Sequence, residues 1–91
     1  MKVVVMVSGN KIKVDVSKGI KDFKQFLDKH GIENKIALPN HIYFLLGERL
    51  FHVVESGSRF LMIDTVAGDC IRNMDFKEAT SAVILTQINF L

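Results

Sequence analysis

Apolar and polar positions alternate cleanly along only one part of the chain. In "KIKVDV", Ile12, Val14 and Val16 alternate with Lys11, Lys13 and Asp15, the period of two expected of a strand with one wet face. The preceding run, Val3 to Val7, is apolar at every position, which suits a strand covered on both sides. Between them Ser8-Gly9-Asn10 predicts a turn, since Gly and Asn tolerate positive φ. From Ser17 the period changes to that of a helix. Ile20, Phe23 and Leu27, with Phe26 or His30, follow one face, while Lys21, Asp22, Lys24, Gln25 and Asp28 lie elsewhere. Ser17 is the expected N-cap, Gly31 the expected C-terminal stop, and Ile32 can pack back across the helix end.

Further along, "ENKIALPNH" reads as a connection containing Pro39, the only proline. "HIYFLLGERLFHVVE" predicts two strands around Gly47-Glu48, and "SGS" at 56–58 a flexible link. "RFLMID" is a strand, "TVAGD" a turn and "CIRNM" a short strand. Asp75 caps a helical turn in "DFKEATS", and "AVILTQINFL" predicts a closing strand. The order is β-β-α followed by several strands, hence a single α+β domain over residues 1–91.

That order, with "VSGNKIKVDV" leading into a helix ending "DKHGI", "IYFLLGERL" and a closing "NMDFKEATSAVILTQI", resembles the ubiquitin-like β-grasp fold. The resemblance implies β-β-α-β-β-β with an extra strand or hairpin inserted, and a parallel pairing of first and last strands at the sheet centre. It covers about residues 1–50 and 70–88. The later half, "RFLMIDTVAGDCIRNMDFKEATSAVILT", is also similar to a doublecortin domain of the same superfamily, which implies microtubule binding as an alternative. Conjugated ubiquitin-like proteins and sulfur carriers end in Gly-Gly. The end seen here, Ile88-Asn89-Phe90-Leu91, does not offer that chemistry unless a longer precursor is processed.

Composition narrows the function classes. Ninety-one residues at 48% hydrophobic content fit one modest packed core. No apolar run approaches the ~20 residues of a membrane span, and "MKVVVMVS" is too short and too soon interrupted for a signal peptide. Cys70 is alone, so no internal disulfide forms and a cytoplasmic location is the expectation. Pairing of Cys70 with His30, His41 or His52 could make a nucleophile. A buried or inert structural thiol is the simpler expectation, because only Arg72 stands near to lower its pKa. His41 and His52 stand on neighbouring strands, yet two histidines make a poor metal site. With no phosphate loop and no paired-carboxylate pattern, neither enzyme activity nor a cofactor is expected.

Charge is uneven. Residues 1–35 hold eight lysines against four acids, whereas the remainder holds four bases against six acids. The basic hairpin and helix carry Lys11, Lys13, Lys18 and Lys21, which could steer an acidic partner. Nucleic acid is disfavoured, because Phe23 and Phe26 sit at core positions and leave no aromatics for base stacking. "IYFLL" has more apolar groups than one buried face requires. Period two leaves open whether Ile42, Phe44 and Leu46 or Tyr43 and Leu45 enter the core. The ubiquitin resemblance implies an apolar recognition patch on this strand with Phe44 as the exposed contact, Tyr43 or Leu45 taking its place if the register is reversed. The alternative is that residues 51–69 cover this strand. The resulting expectation is a non-catalytic protein-interaction module, an adaptor or inhibitor. A homo-oligomer formed through an exposed edge strand such as "FHVVE" or "RFLMID" is the further alternative.

Overall fold

A computed structural model describes residues 2–7, 9–15 and 18–90, with the side chains of 2–7 and 10–15 left out. Nine elements follow in order: β1 (Lys2–Val7), β2 (Asn10–Asp15), α1 (Ile20–Lys29), β3 (Asn34–Leu38), β4 (His41–Leu46), β5 (Arg49–Ser56), β6 (Arg59–Asp64), β7 (Cys70–Met74) and α2 (Phe76–Asn89). Strands β3 to β7 form an antiparallel meander in chain order, and β1 and β2 form a separate antiparallel ribbon. The chain is therefore α+β, as its pattern predicted. The molecule measures 53 × 22 × 21 Å.

The meander is folded by short turns. Gly47 and Glu48 have φ of +55° and +53°, and Gly57 and Ser58 have +54° and +68°. Two consecutive positive φ values make the primed two-residue turn that matches strand twist. Residues 56–58 are thus a tight hairpin and not a flexible link. The segment expected as a connection, 33–41, contains β3, which pairs Ile36 with Ile42 and Asn34 with Phe44.

Helix α1 buries Ile20, Phe23 and Leu27. Its N-cap is Gly19, whose N–H donates to the Asp22 carboxylate at 2.9 Å, while Ser17 lies outside the described residues. At the other end Ile32 N–H donates to Leu27 O and Gly31 N–H to Asp28 O, which terminates the helix as expected. The Phe23 ring lies 5.8 to 6.4 Å from those of Phe26, Phe44, Phe60 and Phe76, so one aromatic side chain ties α1 to the sheet and to α2.

The largest correction is the last element. "AVILTQINFL" is not a strand; α2 runs through it to Asn89. Asp75 Oδ1 accepts from Glu78 N–H and Glu78 Oε1 from Asp75 N–H, a reciprocal cap that satisfies two terminal donors. Ala79 and Val83 are buried and Phe76 and Ala82 pack against the core, a helical spacing. Every strand pair in the described residues is antiparallel, and β1 pairs only with β2. The parallel first-and-last-strand pairing implied by the β-grasp resemblance therefore has no counterpart in this topology.

Candidate functional site

Helices α1 and α2 contribute Phe23, Leu27, Ala79 and Val83 to one core with residues from a single face of the sheet. That face carries Ile42, Phe44 and Leu46 of β4, Phe51 and Val53 of β5, Phe60 and Met62 of β6, and Met74 of β7. Neighbouring residues along a strand point to opposite faces, so the other face is built from what lies between. Residues directly opposite in the register share a face. One row reads Lys35, Tyr43, His52, Ile63, Cys70, and another His41, Val54, Leu61. A third pairs Leu45 with Leu50.

Among the described residues no helix covers this second face. Leu45 is 37% and Leu50 38% exposed, and Tyr43, Val54, Leu61 and Ile63 are half-buried. A depression of about 200 Å³ lies among Lys35, Tyr43, Leu45 and Leu50, and a second of about 380 Å³ among Val54, Leu61 and Arg72. The expectation that residues 51–69 cover strand 42–46 does not hold, because β5 lies beside β4, and β6 beside β5, in the same sheet. Nor are "FHVVE" and "RFLMID" edges. They are β5 and β6, each paired on both sides.

On the open face His41, in the row of Val54, and His52, in the row of Tyr43, meet as the sequence suggested. His41 Nδ1 and His52 Nε2 are 2.8 Å apart, so one ring donates its N–H and the other accepts. The Tyr43 ring stacks on His52 at 4.1 Å and 9°. Burial first, and the nearby His41 second, push the His52 pKa below its usual 6.5. Among the described residues no cluster of three or more potential metal ligands forms. Cys70, expected to be inert or buried, is exposed at the start of β7.

The candidate residues are separated by the fold. Phe44, the favoured contact, is 1% exposed and belongs to the core, within 6.0 Å of the Phe23 ring. Tyr43 and Leu45, held for a reversed register, are the two on the open face. Lys21 is exposed on α1, across the sheet from Tyr43, and Lys18 Nζ lies 5.0 Å over the Phe76 ring. Lys11 and Lys13 stand on β2, where the side chains lie outside the described part. Leu50, Val54, Leu61 and Ile63 were missed; their alternation with Phe51, Val53, Phe60 and Met62 was the available signal. Among the described residues no helix is long and apolar enough to cross a membrane. No protein-family model, curated protein or solved structure matches this chain.

Proposed function

We propose that this chain is a non-catalytic protein-interaction module that docks a partner on the open sheet face, through Tyr43, Leu45, Leu50, Val54, Leu61 and Ile63. One observation carries the reading. Strands β4 to β6 are apolar on both sides, as in sheets buried between two layers, yet α1 and α2 cover only one side. Five strands at ~4.8 Å spacing and about 17 Å of strand give a face of roughly 400 Å², the size of a functional patch on a small protein. Tyr43 on His52 supplies a rigid aromatic anchor at its middle. Lys35 borders the face beside Tyr43, whereas Lys11, Lys13, Lys18 and Lys21 lie on or beside other elements and act at a distance, by steering an acidic partner.

An adaptor or an inhibitor of larger machinery would both fit. The β-grasp likeness contributes no more than the hairpin–helix opening to this reading. The test is capture of partners from a lysate by the wild type, Leu50→Asp and Lys21→Glu, with folding checked by circular dichroism. Loss of one strong contact costs about 2 kcal/mol, so burying a charge at Leu50 in Leu50→Asp is expected to weaken binding ~30-fold or more. Lys21→Glu should alter binding only at low salt. A partner held equally well by folded Leu50→Asp would remove the open face from consideration.

A further inference from the structure

Resting on the reading of the open face as a docking surface, we infer that its occupant is a second copy of this chain. The two open faces stack in a two-fold dimer, giving four layers with helices outside and two sheets within.

Three observations favour a copy over an unrelated protein. The first is charge. An isologous contact brings a surface against itself, so like charges at its centre would repel. The middle row here is Tyr43, His52 and Ile63, flanked by Leu50 on one side and by Val54 and Leu61 on the other, and the accepting ring of the His41–His52 pair is uncharged. Lys35 and Arg72 lie on the outermost strands, and Arg59 stands at the first residue of β6, at the border of the face. The second is the state of the edges. Both outer strands are irregular, with register shifts between Ile36 and Leu38 and between Phe60 and Met62. Asn73 of β7 has φ of +58°. Bulged edges resist strand addition, which leaves the face as the surface of this five-stranded sheet open to self-association. The third is area. Two opposed faces cover about 800 Å² in projection. The accessible area removed is larger, because side chains give each face relief. That approaches the ~1,200 Å² at which specific interfaces begin, but only if the whole face engages. Two sheets of equal twist can meet in this way, ~10 Å apart and rotated by about 30°.

Full engagement sets the test. Leu45 and Leu50 lie at one end of the face, Val54 and Leu61 at the other. Light scattering at increasing concentration should give the wild type twice the chain mass of 10.3 kDa. Leu50→Asp and Leu61→Asp should each return it to a single chain mass, with circular dichroism unchanged. Leu85→Asp, on the exposed side of α2, should leave the double mass intact. If either sheet variant does not fold, Leu45→Lys replaces it at the same face. A wild type of single chain mass throughout overturns the second copy. So does any mass other than double, or a double mass kept by the sheet variants or lost in Leu85→Asp. A single-mass wild type whose captured partner is lost in Leu50→Asp would overturn the dimer and leave the docking face standing.

Discussion

Phe44 is 1% exposed and Leu45 37%, although they are neighbours on one strand, because consecutive residues of a strand face opposite ways. Phe44→Ala is expected to cost ~3–5 kcal/mol, since it removes a ring packed against Phe23 and Phe51. Leu45→Ala should cost about 1 kcal/mol or less. Urea titration of the two variants checks the difference; equal losses would invert the face assignment. Which of the two pointed inward was not legible in "HIYFLL", because both alternating sets are apolar and period two gives no phase. His52 makes the second prediction at this scale. Its folded pKa lies below 6.5, so the neutral ring favours the fold. That contribution is complete above 6.5 and is lost as pH falls through that value towards the folded pKa. Asp28 is held low first by the Asn34 side chain, and Asp64 first by the Ala67 N–H. Their contributions persist until pH falls below the usual 3.8 and do not enter this window. Thermal unfolding of dilute protein between pH 8 and 5 should decline less in His52→Phe than in the wild type. Identical declines would mean that His52 is not the group responsible.

Helix α2 shows where local pattern and tertiary packing disagree. Val83, Ile84, Thr86 and Ile88 are β-branched, a composition that favours strands. The helix presents apolar groups on nearly all sides, with Ile84, Leu85 and Ile88 exposed opposite buried Ala79 and Val83, so helical periodicity is blurred. What decides the outcome is the Asp75–Glu78 cap together with burial of Ala79 and Val83 against the sheet. The cap was legible, whereas the packing depended on residues distant in sequence. Helix α1 was legible except for its cap, which is Gly19 and not Ser17, because its apolar stripe, Gly31 stop and packed Ile32 are all local. Asp75→Ala should therefore lower stability by ~0.5–2 kcal/mol. Helical content measured by circular dichroism should melt earlier than in the wild type. An unchanged melt would show that packing alone holds the helix start.

At the scale of the whole molecule, two helices seal one side of a five-stranded sheet and leave the other to solvent. Strands β4 to β7 could be read from sequence one by one, but β3, in the expected connection, and the strand order could not, and the order decides which faces are covered. An insertion expected to lie over β4 became its neighbour instead. The central claim is that the open face is where binding occurs. Methyl NMR of labelled protein, titrated with unlabelled protein and then with cell extract, tests it at the level of single side chains. Broadening or shifts should gather on Leu45, Leu50, Val54, Leu61 and Ile63, with Leu27, Val53 and Val83 of the core unmoved. Changes gathered on Ile84, Leu85 and Ile88 of α2, with the sheet methyls silent, would contradict it.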